Sequence, residues 1–295
     1  MEESPKAVSK TNKLLKLLLK IAVTAACLWY VFCKIDFAKA GTALQNSNWF
    51  YLFFALLAFI ISKLFSSIRL NIYFRNIRIH LPEWQNIKLY WLGMFYNLFL
   101  PGSISGDAYK VILLAKKYNV PYRKTTTAVL LDRFSGLLGL GLILAVYSII
   151  VIRDNFLIAI IITTTVLAVA TLFLVNKYWL KDFFSSFWPT LLWGIAVQAM
   201  QVICAYLIMV TLGIPIQQTE YIFLFLVSSI VAVLPITIGG LGAREIVFLE
   251  GSKYFGLVQE QSVIISILFY LITLFTSAAG MFYVFNDPLN KKAHN

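Results

Sequence analysis

Six apolar runs, at residues 14–32, 49–70, 127–152, 156–175, 187–212 and 262–285, dominate the chain. Each approaches or exceeds the roughly 20 residues that a helix needs to cross a bilayer. None alternates with the period of a barrel strand, so the spans are helices. Hydrophobic residues make up 60% of the chain and the mean hydropathy is +0.81, whereas soluble domains run at about 45–50% apolar. An integral membrane protein follows. Residues 1–295 read as one polytopic domain with short loops, because no soluble stretch is long enough to bury a core of its own.

The net charge of +12 raises the question of nucleic acid. The placement of the charge answers it. Lys and Arg collect in a few short loops between apolar runs, as they do on the cytoplasmic side of membrane proteins, where they also favour anionic lipid. Nucleic acid is therefore excluded as a partner. His80 and His294 are the two histidines, and Cys27, Cys33 and Cys204 lie in or beside apolar runs. Neither set has the spacing of a metal site or a disulfide framework. No metal, cofactor or catalytic residue is assigned.

The first run resembles a signal peptide, with Thr24-Ala25-Ala26-Cys27 close to a lipoprotein cleavage pattern. It continues through Leu28-Trp29-Tyr30-Val31-Phe32 without a small-residue break, which favours a retained helix. Lys63 and Arg69 fall toward the far end of the second run, where long basic side chains can snorkel to water. The basic loops put the termini, 1–13 and 286–295, in the cytoplasm as tails of a multi-pass protein of the cell membrane.

Two shorter apolar segments break the pattern. Residues 89–100 end in Leu100-Pro101-Gly102-Ser103-Ile104-Ser105-Gly106-Asp107-Ala108-Tyr109-Lys110, and residues 220–234 end in Leu234-Pro235-Ile236-Thr237-Ile238-Gly239-Gly240-Leu241-Gly242-Ala243-Arg244-Glu245. Aligned at Leu-Pro, Gly106 answers Gly240 and Lys110 answers Arg244. Both segments are too short to span. The first has basic loops on both flanks, so it enters and leaves on one side. The expected fold is an all-α polytopic helix bundle of about six full spans, with two re-entrant broken segments forming an inverted repeat.

A broken backbone at membrane depth survives only inside protein or beside a water-filled cavity. Proline stops each incoming helix, and Gly102, Gly106, Gly239, Gly240 and Gly242 let the chain turn or let a ligand approach. Ser105 or Asp107 is the candidate N-cap of the first restart. Each restart then directs the positive end of a helix dipole inward, with Lys110 or Arg244 close behind. This combination points to an anion, and the natural anion at that depth is a lipid phosphate. Arg133, beside Asp132, either reaches the same cavity or pairs with Asp107; the competing reading is an ion pair that marks the start of a helix. Glu245 has its own bland reading, a local partner that neutralises Arg244.

At these motifs the chain resembles the flippase-like family named after the lysylphosphatidylglycerol synthase membrane region. The residues that carry the resemblance are Asn97-Leu98-Phe99-Leu100-Pro101-Gly102 with Gly106-Asp107 and Lys110, then Leu131-Asp132-Arg133, then Gly239-Gly240-Leu241-Gly242-Ala243-Arg244-Glu245. Ile236 and Thr237 separate Pro235 from Ile238-Gly239, where the family has a tighter Pro-Gly-Gly, so the second break is expected to differ in shape. The resemblance implies lipid transport or lipid holding. Its soluble aminoacyl-transfer domain is not expected in a chain that ends soon after its last span.

The expected ligand is an anionic phospholipid or polyprenyl phosphate, held by Asn97, Gly102, Ser103, Gly106, Asp107, Lys110, Arg133, Gly240, Gly242, Arg244 and Glu245. Membrane lipids are thus the expected partners. The alternatives are a membrane enzyme acting on lipids or lipid-linked sugars, which lacks a paired-acid motif, and an accessory subunit of a separately encoded lipid-modifying enzyme.

Overall fold

A computed structural model describes residues 18, 21–22, 25–33, 37–45, 47–99, 104–234, 237, 239–286 and 288–289. Among them there is no strand. Residues 25–33 form α1. There follow α2 (Phe37–Gln45), α3 (Phe50–Asn76), α4 (Glu83–Phe99), α5 (Ser105–Tyr118), α6 (Tyr122–Val151) and α7 (Asn155–Tyr178). A 3-10 turn at Lys181–Ser186 leads into α8 (Phe187–Thr211). The chain closes with α9 (Gln218–Val233), α10 (Ala243–Phe255), α11 (Gln259–Ala278) and a 3-10 turn at Ala279–Tyr283.

Five helical segments are long and apolar enough to cross a membrane: Phe50–Asn76, Tyr122–Val151, Asn155–Tyr178, Lys181–Thr211 and Gln259–Tyr283. They match five of the expected spans. The run at 14–32 falls partly outside the described residues, and those described are helical. One boundary matters for the chemistry. The second span continues to Asn76, so Lys63 and Arg69 sit well inside it and not at a watery end.

The helix ends follow local chemistry. Asp154 caps α7 by accepting from the Phe156 N–H at 2.8 Å. Asn119 closes α5 in the left-handed region. Gly213, with φ of +65°, closes α8, and the Ile214 N–H returns to the Met209 carbonyl at 3.1 Å.

Packing of the spans relies on small residues, as expected where hydrophobic burial gives no drive between helices in lipid. Gly139 on α6 meets Gly194 on α8, where an added Cβ would lie 2.5 Å from the Gly194 carbonyl carbon. Gly136 gives up its side-chain space to the guanidinium of Arg69.

Polar contacts sort the loops into two ends. At one end Lys124 pairs with Asp182 at 2.7 Å, and Lys117 donates to the Leu289 carbonyl at 2.7 Å. Arg75 meets Glu83 at 2.6 Å there as well. The basic loops and residues 288–289 therefore share an end. At the other end the Asn48 N–H donates to the Thr211 carbonyl at 2.9 Å.

Two antiparallel hairpins start from these ends. In α4–α5, Tyr90 lies by Lys110, and Gly93 faces Gly106. In α9–α10, Leu224 packs on Gly251 and Phe223 on Phe255. At 17 and 16 residues, α4 and α9 are each about 25 Å long. The ends of the hairpins meet, because Leu98 packs onto Gly239, where an added Cβ would lie 2.5 Å from Leu98 Cδ1.

The Gly93–Gly106 contact yields a direct test. A Cβ on Gly106 would overlap the Gly93 carbonyl. Gly106→Ala is expected to cost about 1–3 kcal/mol, read as a lower melting temperature of the purified protein. Gly41→Ala, on α2 with nothing within 4 Å of the added methyl, should leave it unchanged or slightly higher.

Candidate functional site

The first restart is organised around Asn97. Its Oδ1 accepts from the Gly106 N–H at 2.9 Å, and its Nδ2 lies 3.4 Å from Asp107 Oδ1. Ile104 occupies the N-cap position of α5 without a side-chain cap bond. Neither Ser105 nor Asp107 caps this helix, because the preceding limb supplies the acceptor across the break.

Asp107 serves two cations. Lys110 Nζ approaches Oδ1 at 3.1 Å, and Arg133 Nε donates to Oδ2. Lys110 also lies 4.7 Å from the centre of the Tyr90 ring and is 4% exposed. The carboxylate sits in the first turn of α5, where the helix dipole favours it.

Asp132 does not mark a helix start. The third span begins at Tyr122, and Asp132 is buried in its third turn, paired with Arg69 of α3 at 2.7 Å. Arg69 Nη1 has no hydrogen-bond partner, and the guanidinium lies beside Gly136.

The second restart differs in shape from the first. Gly239, Gly240 and Gly242 adopt φ of +61°, +83° and +85°, which L side chains rarely take. The Glu245 carboxylate accepts from the Gly242 N–H at 2.6 Å and from Ser266 Oγ at 2.8 Å. Arg244 turns elsewhere. Its Nη2 donates to Ser229 Oγ at 3.0 Å, and its guanidinium lies 4.7 Å from the Phe269 ring centre and 5.7 Å from that of Phe225. The expected local pair between Arg244 and Glu245 is replaced by these separate partners, since Glu245 is committed to the backbone of the break.

Between the hairpin ends lies a cavity of about 510 Å³, within the usual range for ligand sites. Asn97 and Arg133 line it from the first hairpin and α6; Thr237, Gly239 and Gly240 line it from the second break. Lys63 of α3 and Gln198 of α8 complete its polar wall. Met94, Leu98, Leu137 and Leu140 supply apolar wall. Ile104, Val233 and Leu234, 54%, 49% and 49% exposed, form its outer rim. A groove of about 620 Å³ between α2, α3 and α11 is larger, but Glu260 is the one charged residue in its lining. Such a lining suits acyl chains and cannot compensate a buried charge.

Of the expected site residues, then, Asn97, Arg133 and Gly240 reach the cavity wall. Gly106, Asp107 and Lys110 stand behind Asn97, while Gly242, Arg244 and Glu245 belong to the second restart; Arg244 Cδ lies 3.7 Å from where a Gly240 Cβ would be. Gly102 and Ser103 lie outside the described residues.

Lys63 was not anticipated. No carboxylate lies within ion-pair distance of it among the described residues, and its ammonium rests 4.4 Å from the Phe59 ring centre. The signal was a lysine inside an apolar run, which by itself marks a functional candidate. Gln198 Oε1 and Thr237 Oγ1 also face the site without partners, although Gln198 Nε2 bonds the Gly136 carbonyl at 3.3 Å.

Residues 17–184 and 177–280 match the family described as Lysylphosphatidylglycerol synthase TM region. The chain belongs to this family. The lysylphosphatidylglycerol synthase TM region family ties the chain to lipid modification or translocation in a membrane. A comparison with curated proteins gives no significant match. The family match spans both hairpins and every helix that lines the cavity. Among the described residues no group of three His, Cys, Asp or Glu is placed to hold a metal.

The buried Arg69–Asp132 pair offers a second test, independent of ligand. Asp132→Asn leaves a buried guanidinium uncompensated and is expected to lower stability by about 3–5 kcal/mol. Arg69→Met/Asp132→Leu should recover most of that loss. A double-mutant cycle of thermal melts separates the two effects.

Proposed function

We propose that this protein translocates an anionic lipid across the cell membrane, binding its head group in the cavity between the two hairpins. The hairpins are read as re-entrant segments that enter from opposite faces, related as an inverted repeat, with both termini in the cytoplasm. One observation carries the reading. The cavity joins the ends of both hairpins, holds a cation without a carboxylate partner, and opens past an exposed apolar rim.

The physics of such a site is direct. A phosphate moved alone through hydrocarbon loses its hydration at a cost of many kcal/mol. Lys63 and Arg133 offset that loss where the hairpins meet, and Asn97 and Thr237 add hydrogen bonds. The acyl chains need no protein and stay in the bilayer beyond Ile104, Val233 and Leu234. Because the hairpins come from opposite ends, loosening one at a time exposes the same site to each side in turn, as in transporters with repeats of opposed orientation. In this reading Asp107, Lys110, Arg244 and Glu245 set the shape and potential of the site, with Gly102, Ser103, Gly106 and Gly242 in the breaks.

Reconstituted into liposomes with a fluorescent short-chain phosphatidylglycerol, the wild-type protein is expected to speed its transfer between leaflets. Lys63→Gln/Arg133→Gln should slow that transfer at least about tenfold, equivalent to 1.4 kcal/mol or more at the barrier. Equal rates for the two proteins would refute the site.

A further inference from the structure

The interior charges do not balance. Among the described residues around the cavity, five basic side chains, Lys63, Arg69, Lys110, Arg133 and Arg244, stand among three carboxylates, Asp107, Asp132 and Glu245. The pairing shows where the surplus lies. Arg69 and Asp132 cancel one another. Asp107 is shared by Lys110 and Arg133, so that trio keeps one positive charge. Arg244 has Glu245 as its sequence neighbour, although the two make separate contacts. Lys63, with no carboxylate within ion-pair distance among the described residues, brings the second charge when it is protonated.

The way these cations are held matters as much as their number. Lys63 rests on Phe59, and Arg244 rests on Phe269 and Phe225. Phe59 and Phe225 each meet Phe269 edge-on, with ring centres 5.4 and 4.7 Å away. A π face attracts a cation without neutralising it. Lys63 and Arg244 therefore share one aromatic cluster, across which like charges repel. Uncompensated charge in a low-dielectric interior is costly, and the cost is lifted by a ligand of opposite charge. One negative charge would leave half of the surplus in place.

We infer that the cavity selects a phosphate bearing two negative charges, such as a phosphomonoester or a diphosphate, over a phosphodiester bearing one. This deepens the proposed function and rests on it. The donors agree with the charge. An ammonium brings three N–H donors, and Thr237 Oγ1 is buried in the same wall without a partner. A terminal phosphomonoester offers three unesterified oxygens to such donors, and a diester offers two.

The test uses the purified full chain and two lipids with identical dioleoyl tails, phosphatidic acid and phosphatidylglycerol, at about pH 7, where the monoester carries about 1.5 to 2 negative charges. Binding is read by displacement of a fluorescent short-chain lipid. Phosphatidic acid is expected to bind about tenfold tighter or more, a difference of 1.4 kcal/mol. Lys63→Gln should shrink that preference to under about threefold, and Lys63→Arg should retain it, since one removes and the other keeps the charge. Equal affinity of the wild type for both lipids overturns the inference and leaves the translocation reading standing. So does a preference undiminished in both Lys63→Gln and Arg133→Gln. Binding of neither lipid overturns both readings. Displacement by inorganic phosphate as effective as that by phosphatidic acid would assign the site to free phosphate; it would keep the charge selectivity and refute the lipid reading.

Discussion

A backbone that leaves the helix inside a membrane protein must find partners for its amides within the protein. Both hairpins of this structure meet that requirement in the same way. The Gly106 N–H is received by Asn97 from the incoming limb, and the Gly242 N–H by Glu245 from the outgoing helix. Each acceptor is tied to the rest of the site: Asn97 touches Asp107, and Glu245 accepts from Ser266 on α11. Without these bonds, orphan donors would face an apolar surround, which costs several kcal/mol apiece. The cavity exists because the breaks are stable, and the breaks are stable because these oxygens reach them.

Charge is arranged on top of that frame. Asp107 pairs with Lys110 within α5 and joins the first hairpin to α6 through Arg133, and Asp132 joins α6 to α3 through Arg69. The Arg133 and Arg69 pairs link separate elements, and they hold α3, α5 and α6 in register around the cavity. Lys63 and Arg244 stand apart, supported by aromatic rings. Of these, Lys63 lines the cavity, as does Arg133 from its pair with Asp107.

The alignment of the two breaks at Leu-Pro carries only part of the way into three dimensions. Lys110 lies in the second turn of α5, whereas Arg244 lies in the first turn of α10, and the capped glycines are Gly106 and Gly242 rather than the aligned Gly106 and Gly240. The longer second break, with Ile236 and Thr237 after Pro235, accounts for the offset. It also carries three glycines at positive φ, where the first hairpin relies on the close approach of Gly93 and Gly106.

Much was legible in the order of residues. Runs of about 20 apolar side chains determine spans because backbone amides in lipid must bond within a helix. The short apolar segments 89–100 and 220–234 end in Leu-Pro, where a helix is stopped. Asn97, Arg133 and Gly240, named as candidates from the sequence, line the cavity. Lys63 was misjudged as a snorkelling side chain, since a lysine in an apolar run carries no mark of what it faces. Arg69 met Asp132, 63 residues away, and Glu245 turned from its neighbour Arg244 to Gly242 and Ser266. Position along a helix is local and follows from sequence. Which cation is paired and which opens onto the cavity depends on how α3, α6, α8 and the two hairpins pack, and only the tertiary structure decides that.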